Sequence, residues 1–226
     1  MLVRNWMSPT VITVDAEDTM DRALKIMREN KIRLLPVVSK GRLSGVLTDG
    51  DLKRASASDA TTLDIHELLY LISRITVSRI MSKKPITVPS DFTIEETAEI
   101  LLKEKISGVP VLGPDGDVVG VITQTDIFRA LISLTGIGKR GIQFAFRITD
   151  RPGSIKALTD IIRAYGGRMA SILSSYDGEP EGKRKVFLRV YGIDRNRLPQ
   201  LLTELRVYGA LRYMVDHASN QREIFE

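Results

Sequence analysis

Two stretches of the chain carry the same order of apolar and polar positions. In the first, a short extended segment (Ile12 to Val14) precedes Met20, Ala23, Leu24 and Met27, which fall at i, i+3, i+4 and i+7 and predict one face of a helix with Thr19 as its N-cap. Two apolar runs, Leu34 to Val38 and Leu43 to Leu47, then predict strands around a tight turn. In the second stretch Ile86 to Val88 is the extended segment. Thr93 is the cap, with Glu96 three residues on completing a capping box. Ile94, Ala98, Leu101 and Leu102 form the expected inner face, Val109 to Leu112 and Val118 to Ile122 the strands, and Ile127, Phe128, Leu131 and Ile132 a closing helix. Met7 to Met81 and Leu35 to Val109 are the same 74-residue step, while Gly45 to Gly120 is 75, so one residue enters at the hairpin turn. Between the copies Ser56 to Asp59 reads as a loop, and Ile65, Leu68, Leu69 and Ile72 as the stripe of a connecting helix.

The last third changes period. Thr135 to Gly141 has three glycines in seven residues and reads as a linker. Ile142 to Ile148 alternates as a half-buried strand does. A turn at Thr149 to Ser154 leads into a helix with Ile155, Leu158, Ile162 and Tyr165 inward, stopped by Gly166-Gly167. Met169 to Tyr176 and Val186 to Tyr191 predict strands, Leu198, Leu201, Leu202 and Leu205 a second helix, and Leu211 to Val215 a last strand. The order is β-α-β-β-α-β, a ferredoxin-like layout. The expected division is 1–77, 78–135, a linker 136–141, 142–217 and a C-terminal tail 218–226, in the α/β (α+β) class.

Composition narrows the function. The 226 residues are 43% apolar and 27% charged, ordinary for a soluble globular protein. No stretch approaches the ~18 unbroken apolar residues of a membrane span, and the N-terminus lacks the apolar core of a signal peptide. With no cysteine there are no disulfides and no thiolate metal sites, which fits a cytoplasmic location. His66 and His217 stand far apart and share no metal or triad spacing, so no metal is expected. There is no P-loop and no nucleophile elbow, so catalysis is not expected either. The net charge of +5 suits phosphorylated small molecules as well as nucleic acid. Lys183-Arg184-Lys185 reads as a solvated hairpin edge, without a nucleic-acid-binding signature.

The chemistry concentrates at a repeated junction. Gly45-Val46-Leu47-Thr48-Asp49-Gly50-Asp51 returns as Gly120-Val121-Ile122-Thr123-Gln124-Thr125-Asp126. Each copy ends a strand and opens a helix, with a hydroxyl and, three residues later, a carboxylate. The hydroxyl and nearby backbone N–H groups suit phosphate, and the carboxylate can accept hydrogen bonds from ribose hydroxyls. The same residues also suit a plain helix cap.

The duplication, the element order and both Gly-hydrophobic-x-Thr-x-x-Asp signatures resemble a tandem CBS-domain pair, the Bateman module, over about Met1 to Leu134. That resemblance implies two copies packed through their sheets, with clefts that bind AMP, ADP, ATP or S-adenosylmethionine. It places Asp51 and Asp126 on ribose and Thr48 and Thr123 beside phosphate or ribose. Lys31 to Leu35 and Lys105 to Val109, with Pro36 and Pro110, would border adenine, and Arg33 would either neutralise phosphate or stay solvated. Gly50 and Gln124 depart from the pattern, so the clefts are expected to be unequal. Further on, Asp150-Arg151-Pro152-Gly153 followed by Ser154 and Ile155 resembles the ACT domain. That likeness implies an amino-acid effector at Asp150 to Ser154, near Ser171 and Ile172, although Arg168 after Gly167 departs from the amino-acid-binding pattern. The combination is similar to the acetoin-utilisation AcuB family. The expected protein is a homodimeric, non-enzymatic sensor of adenosine nucleotides, with no catalytic cofactor. The alternatives are a dimeric scaffold with degenerate clefts and an amino-acid-responsive regulator.

Overall fold

The computed structural model describes residues 1–58 and 74–225, with the side chains of residues 56–58 left aside. The expected connecting helix at Ile65 to Ile72 lies outside the described residues. The chain divides into two compact units, Met1–Phe128 and Arg129–Glu226.

In the first unit each copy folds as expected. Copy one runs β1 (Val14–Asp15), α1 (Met20–Asn30), β2 (Leu34–Ser39), β3 (Arg42–Thr48) and α2 (Asp49–Ser58). Helix α2 absorbs Ser56 to Ser58, expected as loop. After the short helix α3 (Val77–Ile80) and strand β4 (Ser82–Lys83), copy two runs β5 (Val88–Pro89), α4 (Ile94–Glu104), β6 (Gly108–Leu112), β7 (Val118–Thr123) and α5 (Gln124–Leu134), whose residues from Arg129 on are counted in the second unit. Both caps form: Thr19 accepts from the Arg22 amide, and Thr93 and Glu96 make the reciprocal box. Lys31 and Lys105 end α1 and α4 in the left-handed region. The hairpins share even their irregularity, a register shift at Val37/Val38 in one and Val111/Leu112 in the other. The core of copy one is built on Met20, Ala23, Met27, Leu35, Val37 and Leu47. In copy two one expectation fails. Leu102 is 75% exposed, and Thr97, 0% exposed, takes the inward position because its hydroxyl is satisfied by the Thr93 carbonyl.

The copies also exchange their leading segments. β4, at the start of copy two, pairs with β3 of copy one, giving the sheet order β1-β2-β3-β4. Ser8, at the start of copy one, pairs with Val121 on β7. Val3 and Val77 are each fully buried in the opposite copy's territory, through Val3 N–H to Phe92 O and Val77 N–H to Asp18 O. Backbone pairing therefore crosses the expected boundary at 77/78 in both directions.

The second unit contains β8 (Ile142–Thr149), α6 (Ser154–Ala164), β9 (Arg168–Ser175), β10 (Lys183–Tyr191), α7 (Leu198–Tyr208), β11 (Ala210–Asp216) and β12 (Gln221–Ile224). The sheet order is β12-β11-β8-β10-β9 with every pair antiparallel. Alternate strand residues (Ile142, Phe144, Phe146, Ile148; Val186, Leu188, Val190) meet Leu158 and Ile162 of α6 and Leu201 and Leu205 of α7. Strand β12 lies in the segment expected as a tail. Its apolar content is too low to announce a strand, and β11 recruits it through backbone pairing from Tyr213↔Ile224 to Asp216↔Gln221. The expected linker contains a 3-10 turn at Ile137–Lys139.

Candidate functional site

The glycine of each signature has a steric cause. A Cβ on Gly45 would sit 2.6 Å from the Met81 sulfur and 2.9 Å from Ser82 O. A Cβ on Gly120 would sit 2.4 Å from the Met7 sulfur and 3.0 Å from Ser8 O. Each glycine admits the leader of the other copy, so the repeated Met-Ser and the repeated Gly are two halves of one contact.

At the first junction Asp51 is 7% exposed. Its Oδ2 accepts from the Thr48 amide at 2.8 Å and from the Thr48 hydroxyl at 2.5 Å, while the Asp51 amide donates to Thr48 Oγ1 at 3.3 Å. Arg54 holds its Oδ1. The pair is thus a reciprocal cap at the start of α2, and the carboxylate faces a charged partner as well. At the second junction Asp126, 3% exposed, accepts from the Thr123 amide at 2.9 Å and hydroxyl at 2.7 Å. The helix-cap geometry is real in both copies. It also places both carboxylates just beyond strand ends, Asp51 beside a cavity.

A cavity of about 530 Å3 opens beside the first junction, within the usual range for small-molecule sites. Thr48 and Asp51 line it, as does Arg33. From copy two come Lys84, Pro85 and Ile86 of the exchanged leader, and Lys105 to Gly108 of the loop before β6. Thr123 and Asp126 occupy the matched junction of copy two and are not among its lining residues. Leu35, Pro36, Val109 and Pro110 do not line it either: all four are buried in β2 and β6, and Leu35 and Val109 are 0% and 1% exposed in the core. The strands are covered, so the cavity meets the loops leading into them instead. Ser82, Lys84, Pro85, Ile86 and Arg54 escaped the sequence reading. The repeated Met-Ser leader, Met7-Ser8-Pro9 in one copy and Met81-Ser82-Lys83-Lys84-Pro85 in the other, was the signal that could have found most of them.

The profile of the CBS domain matches residues 3–58 and 77–133, together half of the chain. The chain belongs to the CBS domain family. A CBS domain-containing protein of Dictyostelium discoideum is 33% identical over 135 residues, which is 59% of this chain and 93% of that protein. An inosine-5'-monophosphate dehydrogenase of Korarchaeum cryptofilum is 33% identical over 118 residues, 52% of this chain but only 22% of the enzyme. Among solved structures, the CBS domain pair of protein MJ0100, in complex with 5'-methylthioadenosine and S-adenosyl-L-methionine, superposes with a TM-score of 0.50 at 30% identity, covering 58% of this chain and 95% of that one. The first unit is therefore a CBS pair, and the cavity lies between its two copies.

The second unit holds the other expected site. Gly153 opens α6 with φ +84°, a conformation that favours glycine. Asp150 is paired with Arg184 at 3.3 Å, and the Ser154 hydroxyl donates to Arg151 O at 2.8 Å. Arg151 and Ser154 line a cavity of about 280 Å3 with Thr149, Lys183 and Tyr208, whereas Asp150, Pro152 and Gly153 do not. Ser171 donates its hydroxyl to Thr135 O at 2.9 Å, and Ile172 is exposed. Among the described residues no group of three or more His, Cys, Asp or Glu is placed to hold a metal, and no helix is long and apolar enough to cross a membrane.

Proposed function

We propose that this CBS-domain protein is a non-catalytic regulator that binds adenosine compounds in the cleft between its copies. The observation that carries the reading is the convergence on one cavity of a ribose-competent carboxylate (Asp51), a hydroxyl at a helix start (Thr48) and several cations. Support comes from the MJ0100 pair, described in complex with two adenosine compounds. Asp51 keeps acceptor capacity beyond its cap contacts, since a carboxylate offers about four lone-pair sites. Asp126 and Thr123 give the second copy the same equipment. Regulation is the better reading than catalysis because the likeness to the dehydrogenase is confined to 22% of that enzyme.

The second unit serves as the reporting module, and its element order and its glycine turn before α6 support an ACT-like assignment. An amino acid would enter beside Arg151 and Ser154. The working assembly is a homodimer, as the apolar stripe Phe128, Leu131 and Ile132 on α5 suggests. Calorimetry with AMP, ADP, ATP and S-adenosylmethionine tests the central point. Binding by wild type, weakened roughly tenfold or more by Asp51→Asn combined with Asp126→Asn, is expected if each carboxylate holds ribose through charge-assisted hydrogen bonds. No heat with any of the four would leave the dimeric scaffold as the function.

A further inference from the structure

The cleft beside Asp51 is lined by four cations, Arg33, Arg54, Lys84 and Lys105, against two carboxylates, Asp49 and Asp51. Both carboxylates are committed: Asp49 to Lys53 at 2.8 Å and Asp51 to Arg54. Among the described residues, Arg33, Lys84 and Lys105 have no carboxylate within ion-pair distance. Three uncompensated cations around one concavity raise the local concentration of anions and favour a multiply charged ligand.

Lys84 is the most telling of them. Its φ is +64°, in the left-handed region that a residue with a Cβ enters at a cost, and it caps no α-helix. It directly precedes Pro85, on the leader that copy two lends to the cleft. The matched position in copy one is Thr10, and the match of Asp49 is Gln124. The cation is therefore not a property of the repeat but of this cleft alone.

We propose that this cleft selects an adenosine di- or triphosphate, with Lys84, Lys105 and Arg33 on the phosphate chain, over 5'-methylthioadenosine and S-adenosylmethionine. The first of those lacks phosphate, and the second carries a sulfonium cation that three lysine and arginine charges repel. The inference rests on the nucleotide reading of the same cleft and adds the ligand class to it.

The test is competition calorimetry on the whole chain with ATP, ADP, AMP, 5'-methylthioadenosine and S-adenosylmethionine, on wild type and on Lys84→Gln combined with Lys105→Gln. Both side chains are exposed, so the variant keeps the core intact. The expected order is ATP and ADP tightest, with ATP affinity falling about 10- to 100-fold in the variant, one to two lost charge-assisted contacts. The affinity for 5'-methylthioadenosine, which has no phosphate chain for either lysine to hold, should fall by less than that for ATP. Tighter binding of S-adenosylmethionine than of ATP, or an ATP affinity untouched by the variant, overturns the proposal and leaves the nucleotide reading standing. Binding of none of the five overturns both.

Discussion

At the scale of single residues, the two signature glycines make the sharpest demand. Gly120→Ala places a methyl group 2.4 Å from the Met7 sulfur and 3.0 Å from a backbone oxygen. Overpacking of this kind costs about 1–3 kcal/mol, and chemical denaturation should show it as a lower midpoint. Adding Met7→Ala removes the sulfur and should recover part of the loss, whereas the contact to Ser8 O remains. No recovery would mean that the backbone contact dominates. His217 makes a second residue-scale prediction. Burial, then Arg189 and Arg222, hold its pKa below the ordinary value, with Asp216 opposing them. The folded chain thus binds fewer protons than the unfolded one just below pH ~6.5, so stability is complete above that pH and declines as pH falls through it. Stability curves of His217→Gln should be flatter than wild type between about pH 5 and 7; identical slopes would remove His217 from the pH response. Thr48 and Asp51 were legible as a pair from spacing alone. Their simultaneous use as a helix cap was legible too, because the same residue types serve both purposes. The spacing was silent on Arg54, three residues on, which takes the other carboxylate oxygen.

At the scale of elements, local patterning located nearly every described helix and strand, because caps and apolar periodicity are written within a few residues. Thr93 is the clearest case. Its hydroxyl accepts from the Glu96 amide at 3.2 Å, and Glu96 returns a carboxylate oxygen to the Thr93 amide at 2.8 Å. Thr93→Ala should cost about 0.5–2 kcal/mol, read as a lower Tm, while Thr93→Ser should be nearly neutral since it keeps the accepting oxygen. Equal losses for the two variants would mean that the methyl group, not the cap, matters. What periodicity missed was non-local. Pairing of β4 with β3, and of Ser8 with Val121, is decided by which partner edge is free in space, and a two-residue strand has too little pattern to announce it. The same reason hid β12. The inward turn of Thr97 was hidden for a different one: a polar side chain satisfied by its own helix looks like a surface residue in sequence. These misses matter for the site, because the exchanged leader carries Lys84 to Ile86 into the cavity.

At the scale of the whole molecule, the sequence marked a change of pattern at Ile142 to Ile148, whereas the two compact units divide earlier, between Phe128 and Arg129 within α5. It could not say how much of α5 is left uncovered, which depends on what packs around it. That helix begins at the Thr123–Asp126 cap and carries Phe128, Leu131, Ile132 and Leu134 at 60%, 53%, 56% and 41% exposure. Phe128, Leu131 and Ile132 stand at i, i+3 and i+4, so they form one continuous stripe rather than scattered apolar residues. Closed twofold assembly is the commonest way for such a face to leave water. Light scattering at micromolar concentration should therefore report a dimer, and Leu131→Glu should shift it toward monomer by placing a charge in the middle of the stripe. The substitution removes an exposed side chain, so the fold should persist, and an unchanged far-ultraviolet circular dichroism spectrum would separate lost association from lost structure. A folded Leu131→Glu protein that remains dimeric would put the interface elsewhere on the chain. A wild type that is monomeric would end the case for the stripe as a contact between copies, while leaving the cleft and its cations untouched, because Phe128, Leu131 and Ile132 are not among the residues that line it.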